Sequence, residues 1–212
     1  MRIAGVLLAA GTSQRFGGDK LLADLDGVPL LRWAAQHLAA CGLDPLVAVV
    51  SSNRMARAAA IDGLGYRIVT IAEPERGQGR SLATGVGALT ASCAGALILP
   101  SDMPDADAAL LGNLTDAFAA SGGRAIVHMQ LAGQTGRQGR RPPVLWPSDL
   151  FGELEALDGD TGGRHVIERH VSRVLPVNLS AADAWKLDDI DTPEDLAACV
   201  TRRRERRRQE LR

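Results

Sequence analysis

The chain has 212 residues, 46% of them hydrophobic and 23% charged, with a formal net charge of −1, which suits one globular domain with its own core and excludes a disordered or fibrous chain. No uninterrupted apolar run reaches the ~18 residues that a membrane-spanning helix needs. Three cysteines without a Cys-x-x-Cys pair exclude a disulfide framework and a cysteine zinc site, and suit a reduced, cytoplasmic protein.

The charge is segregated. Residues 202–212 hold seven arginines against Glu205 and Glu210, a tail of +5, which leaves −6 on the rest. Only Lys20 and Lys186 are lysines; every other basic residue is an arginine.

The chain opens on the apolar run Ile3–Ala10. It lacks the basic flank and cleavage motif of a secretory leader and reads as a buried strand. Short continuous apolar runs recur at Leu46–Val50, Tyr66–Ile71, Ala94–Leu99, Ala125–Met129 and Val174–Leu179. Such runs suit strands buried on both faces of a mostly parallel sheet. Helical patterns lie between them at Pro29–Ala40, Ser81–Cys93 and Asp105–Ala120. Leu131–Arg141, with three glycines and no periodicity, reads as a loop that Pro142-Pro143 ends. A last helix starts at Asp191-Thr192-Pro193-Glu194-Asp195, with Thr192 as the N-cap and Pro193 in the first helical position. The alternation predicts an α/β fold over residues 1–200: a single Rossmann-like domain with helices on both faces of its sheet. Residues 201–212 read as a basic helical tail, a solvated extension of the last helix. No aromatic is interleaved with its arginines to stack on bases, which argues against nucleic acid as a partner.

The first loop carries the strongest chemical signal. Leu8-Ala9-Ala10-Gly11-Thr12-Ser13-Gln14-Arg15-Phe16-Gly17-Gly18-Asp19-Lys20 follows the first strand directly. A glycine-rich turn at the carboxyl end of a parallel strand is where α/β proteins bind anions. Gly11, Gly17 and Gly18 let the backbone approach phosphate oxygens, and Arg15 and Lys20 supply positive charge. The spacing fits neither Gly-x-x-x-x-Gly-Lys-Ser/Thr nor Gly-x-Gly-x-x-Gly.

Two acidic groups complement this loop. Asp102 in Pro100-Ser101-Asp102-Met103-Pro104 lies just past a predicted central strand, where a carboxylate can hold Mg²⁺ beside a triphosphate or cap a helix. Asp188-Asp189-Ile190-Asp191 places three carboxylates in four residues, which repel unless a cation or a helix dipole offsets them. Lys186 beside them reads as a local counter-charge. The four histidines have no ligand spacing and read as structural or surface groups.

Leu8–Leu22 resembles the Leu-Ala-Ala-Gly-x-Ser-x-Arg-x-Gly-x-x-Lys signature of GT-A-like nucleotidyltransferases. It looks most like the MobA-like branch, and within it the molybdenum-cofactor cytidylyltransferases. Gly77-Gln78-Gly79-Arg80-Ser81-Leu82 is similar to the family's Gly-x-x-x-Ser-Leu segment. Pro143-Val144-Leu145-Trp146, Phe151 and Gly159-Asp160-Thr161-Gly162-Gly163-Arg164 resemble Pro-Val-Leu-Phe, Phe and Gly-Asp-x-Gly-Ala-Arg. The likeness runs from the first strand to Leu196. Met103 stands where many members have Gln, Arg141-Pro142-Pro143 where Gly-His-Pro is usual, and Gly163 where Ala is usual.

The resemblance implies transfer of CMP from CTP to a phosphorylated, molybdopterin-type acceptor, with release of pyrophosphate. It implies Arg15, Lys20 and Asp102 as catalytic residues. Leu8, Ala9, Ala10, Gly11, Gly17, Gly79 and Ser81 would bind the nucleotide, and Arg141, Pro143, Asp160 and Arg164 the acceptor. Asp102 and Asp191 would hold Mg²⁺ or Mn²⁺, with Asp189 the alternative to Asp191 and helix capping the alternative role for that segment. Ser81 also suits a plain N-cap. Alanine at position 10, where the guanylyl branch typically has glycine, favours CTP. Open alternatives are GTP as donor, a sugar or isoprenoid phosphate as acceptor, and a non-catalytic partner in molybdoenzyme maturation. A client molybdoenzyme is the implied protein partner, and no membrane is. Removal of residues 202–212 is expected to spare nucleotide binding.

Overall fold

A computed structural model describes residues 1–73, 77–90, 92–134, 140–159 and 162–210, with residues 140 and 210 described by backbone alone. A seven-stranded sheet has the order β5-β4-β1-β6-β8-β7-β9. Its strands are β1 (Ile3–Ala9), β4 (Leu46–Ser51), β5 (Arg67–Ile71), β6 (Gly95–Pro100), β7 (Ile126–Leu131), β8 (Arg140–Pro147) and β9 (Val174–Leu179). The pairs β5–β4, β4–β1, β1–β6 and β7–β9 are parallel, while β8 runs antiparallel to both β6 and β7. A small hairpin, β2 (Asp24–Leu25) and β3 (Val28–Pro29), precedes the first long helix.

The helices are α1 (Leu30–Ala39), α2 (Ala56–Ala60), α3 (Gln78–Gly87), α4 (Ala108–Ala120), α5 (Phe151–Glu155), α6 (Arg164–Arg169) and α7 (Pro193–Glu210). Period-two alternation along the strands feeds a separate core on each sheet face. Leu7 and Ala9 pack with Leu31 and Leu38 of α1, Leu111 and Phe118 of α4, and Cys199 of α7. Ala4 and Val6 pack with Leu82 and Val86 of α3, Leu154 of α5 and Val166 of α6. The expected α/β sheet with helices on both faces is therefore present. Among the described residues no helix is long and apolar enough to cross a membrane.

Three local expectations need correction. The stretch expected to be loop up to Arg141 already contains the start of β8. Its prolines are accommodated by a register shift: Val144 faces His128 while Arg141 faces Met129, so Pro142 and Pro143 bulge out of pairing. Helix α3 begins at Gln78, after Gly77 at a positive φ of 95° that favours glycine, so Ser81 sits inside the helix and is not its N-cap. Helix α4 is capped by Asp107, whose carboxylate accepts the Leu110 N–H at 2.8 Å, and that leaves Asp102 free of a capping role there.

Helix α7 begins as expected. Thr192 and Asp195 form a reciprocal box: the Asp195 N–H donates to Thr192 Oγ1 at 3.2 Å, and the Thr192 N–H donates to the Asp195 carboxylate at 2.8 Å. Its basic half is not solvated all round, contrary to the expectation. Arg203 donates to Asp105 at 2.7 Å and to the Pro104 carbonyl at 3.0 Å, pairs with Asp26 at 3.3 Å and lies 4.2 Å from the Trp33 ring centre. Arg202 reaches Asp188 at 3.0 Å and Arg207 reaches Asp26 at 2.6 Å. Lys186 is also reassigned: its ammonium pairs with Asp107 at 2.7 Å, at the start of α4, and not with the acidic cluster that follows it.

Candidate active site

The sheet order changes direction at β1, which has β4 on one side and β6 on the other. The crevice beyond the carboxyl ends of these strands is where an open α/β sheet receives ligands. The glycine-rich loop rises from the end of β1, and Asp102 follows the end of β6. Because β8 is reversed, its first residues, including Arg141, come to the same rim. The chain after β9 returns there as well, and the Ile190 N–H donates to the Asp102 carbonyl at 2.9 Å.

Lys20 links the acidic groups. Its ammonium lies 2.9 Å from Asp102 and 2.8 Å from Asp191, while Arg15 pairs with Asp191 at 2.7 Å. Burial works against the Lys20 charge, but the two carboxylates outweigh it and hold its pKa above the ordinary amine value. Burial pushes the Asp102 carboxyl above the usual carboxylate range, and Lys20 pulls it only part of the way back. Lys20 and Arg15 supply the cations that two neighbouring carboxylates require.

Two cavities meet at this point. One, about 570 Å³, is lined by the loop residues Ala10–Arg15, by Lys20, Gly77, Gln78 and Ser81, and by Asp102 and Asp191. The other, about 670 Å³, is walled by apolar Leu82, Ile98, Val144, Trp146 and Ile167 and by charged Arg141, Arg164, Asp188 and Asp189. Leu8, Gln78, Pro100 and Asp102 line both. Two compartments that share a carboxylate can hold two reactants with their reacting ends together.

Most of the expected site residues converge here. Leu8, Ala10, Gly11, Arg15, Lys20, Ser81, Asp102 and Asp191 line the smaller cavity, and Arg141 and Arg164 the larger. Asp189 faces the larger cavity, whereas Asp191 shares Lys20 with Asp102. Four others sit elsewhere. Ala9 is buried in the core beneath the loop, Gly17 caps a turn in a left-handed conformation, and Pro143 is buried beside the rim. Gly79 packs against the 158–159 backbone, donating to the Gly159 carbonyl at 2.8 Å where a Cβ would meet that same oxygen. Asp160 lies outside the described residues. Gln78 and Asp188 belong to the Gly77–Leu82 and Asp188–Asp191 segments without a role of their own there, and the arginines behind the loop carry no local motif. His128, read as structural, contributes to the wall of the larger cavity.

Gly163, which stands where the resemblance has Ala, is coupled to Trp146, which stands where it has Phe. A Cβ on Gly163 would fall 2.4 Å from Trp146 Cζ2 and 2.7 Å from Cη2. The indole fills the space of a methyl group on the cavity wall. Gly163→Ala is expected to cost about 1–3 kcal/mol by overpacking, and adding Trp146→Phe should recover most of it in urea unfolding. A single Gly163→Ala variant as stable as the parent would refute this coupling.

A model of the MobA-like NTP transferase domain matches residues 5–174. Purine catabolism protein PucB of Bacillus subtilis (strain 168) is 28% identical over 205 residues, covering 91% of this chain and 93% of PucB. A probable molybdenum cofactor guanylyltransferase of Natronomonas pharaonis is 37% identical over 109 residues, 50% of this chain and 52% of that protein. The crystal structure of Rv0371c from Mycobacterium tuberculosis H37Rv superposes with a TM-score of 0.79 and 26% identity, covering 95% of this chain and 98% of that one. The chain belongs to the MobA-like NTP transferase family and is a nucleotidyltransferase of that type.

Proposed function

We propose that the protein transfers CMP from CTP to the phosphate of a molybdopterin-type acceptor. The observation that carries this reading is the pair of cavities meeting at Asp102, one rimmed by the glycine-rich loop and cations, the other by an apolar wall with Arg141 and Arg164. The first suits a triphosphate and the second a planar, phosphorylated organic acceptor.

Asp102 and Asp191 would hold Mg²⁺ or Mn²⁺. Among the described residues no group of three or more His, Cys, Asp or Glu side chains could hold a metal by itself. Two carboxylates supplemented by nucleotide oxygens is the usual manner of magnesium binding, so the donor set fits. Such an ion, when bound, neutralises triphosphate charge and polarises the phosphorus under attack. Lys20 and Arg15 would add positive charge along the phosphate chain and stabilise charge growing on the leaving pyrophosphate. An acceptor phosphate oxygen would form the new bond to the α-phosphorus as the α–β bridging bond breaks. That phosphate is already ionised near neutral pH, so no strong base is required, and positioning does most of the work. Arg141 and Arg164 would hold the acceptor.

Ala10, which lines the nucleotide cavity, favours the smaller pyrimidine base. The relative named as a molybdenum cofactor guanylyltransferase favours GTP as the second reading. Pyrophosphate release with each of the four NTPs, Mg²⁺ and molybdopterin decides between them. CTP is expected to be the best donor; a clear GTP preference would move the protein to guanylyl transfer, and no release with any NTP would favour a non-catalytic role in molybdoenzyme maturation. The unpaired Cys41, Cys93 and Cys199 support a reducing, cytoplasmic location, where the product would pass to a client molybdoenzyme.

A further inference from the structure

Arg57, in the short helix α2, is fully buried, with 0% of its surface exposed. A guanidinium is stable there only if its five N–H groups find acceptors. All of them go to one loop. Nε lies 3.0 Å from both carboxylate oxygens of Asp19, and Nη2 lies 2.8 Å from one of them. Nη1 donates to the carbonyls of Ala9 and Gly11 at 2.7 and 2.8 Å, and Nη2 to the Ser13 hydroxyl at 3.3 Å. Arg54, just before α2, donates to the Thr12 carbonyl at 3.0 Å. Asp19 in turn accepts the Leu21 N–H at 3.3 Å and so fixes the turn that carries Lys20.

The consequence follows from peptide planarity. The carbonyls of residues 9, 11 and 12 point at guanidinium groups behind the loop. In a planar trans peptide the next N–H points the opposite way. Those are the N–H groups of Ala10, Thr12 and Ser13, and all three residues line the smaller cavity. Carbonyls turned the other way would repel a triphosphate, whereas N–H groups attract it.

We propose that Arg57, assisted by Arg54, is a positioning residue that turns the loop's carbonyls away from the nucleotide and its N–H groups toward the phosphates. This rests on the nucleotidyl-transfer reading and adds a specificity element for the triphosphate outside the signature itself. The planar fork is essential: a lysine keeps the charge but cannot meet Asp19, Ser13 and two carbonyls together.

The test uses the full chain and its Arg57→Lys and Arg54→Met variants. Equilibrium binding of CTP and of GTP with Mg²⁺ is measured by calorimetry, with amide NMR shifts of Ala10, Thr12 and Ser13 and thermal unfolding alongside. Arg57→Lys is expected to fold and to bind about tenfold more weakly or worse, losing the nucleotide-induced amide shifts. Arg54→Met should weaken binding about threefold, with the change concentrated at Ser13. Parent-like affinity and amide shifts in Arg57→Lys would overturn the proposal. Should that variant fail to fold, a parent-like Ser13 shift in Arg54→Met would do so. A parent protein that binds neither nucleotide would instead overturn the nucleotidyl-transfer reading, and this proposal with it.

Discussion

Asp102→Asn should lower turnover by about a thousandfold, the scale of losing one preorganised electrostatic group, while the fold survives. The substitution keeps the side chain's shape and one contact to Lys20 but removes the charge that faces Lys20 and would face the metal. Lys20 keeps Asp191 as a partner, so it is not left buried and unpaired. The stability sign runs opposite to the activity sign. Burial raises the Asp102 carboxyl above its unfolded value, so its ionised form costs folding stability as the pH rises through the folded pKa. Asparagine removes that cost, and the melting temperature should be equal to or higher than the parent's. Pyrophosphate release and thermal unfolding measured on the same preparation check both halves. Near-normal metal-dependent turnover would remove Asp102 from the chemistry, and loss of the fold would mark it as a structural residue. Lys20→Met should impair turnover as well, since Lys20 is the cation nearest both carboxylates.

Removing residues 202–212 should destabilise the protein by about 3–5 kcal/mol, because it strips buried carboxylates of their partners. The Asp105 and Asp26 side chains are only 6% and 9% exposed, and Arg203 serves both. Arg202 and Arg207 supply the remaining pairs. At 2–4 °C per kcal/mol for a chain of this size, the melting temperature should fall by roughly 10 °C. Adding Asp105→Asn and Asp26→Asn to the truncated chain should recover part of the loss, the part that comes from unpaired charge; the loss of Arg203 from the Trp33 ring should remain. A truncated chain as stable as the parent would restore the view of the tail as a solvated extension of the last helix. Arg203 also holds the Pro104 carbonyl, two residues beyond Asp102. Truncation should therefore weaken nucleotide binding too, contrary to the expectation from composition.

Much of the fold was legible because its signals are local. Continuous apolar runs marked five of the strands in the seven-stranded sheet closely, and Val174–Leu179 to the residue. Strand β8 was missed because two prolines resemble a loop, and only the paired register of β7 shows them bulged out. The site was legible in part for the same reason. Glycines and cations in one loop announce an anion, and a carboxylate after a central strand announces a crevice.

Arg57 shows where this kind of reading stops. It lies in an alanine-rich stretch without a motif, and its acceptors are 38 to 48 residues away. Nothing near it in the chain distinguishes it from the arginines of the tail. Those arginines in turn looked like solvated surface until Asp26, Trp33 and Asp105 came to meet them.

The order of elements, the glycine-rich loop, the two acidic segments and the family signature follow from the residues alone, because periodicity, turn chemistry and charge runs belong to neighbours in the chain. The sharing of Lys20 by Asp102 and Asp191, 82 and 171 positions away, came only with the tertiary structure, as did the two cavities meeting at Asp102. Contacts of that range exist only once the strand order has brought the carboxyl ends of β1 and β6 together and the chain after β9 has returned to them. Buried charge is then stable only where the folded chain supplies its partner.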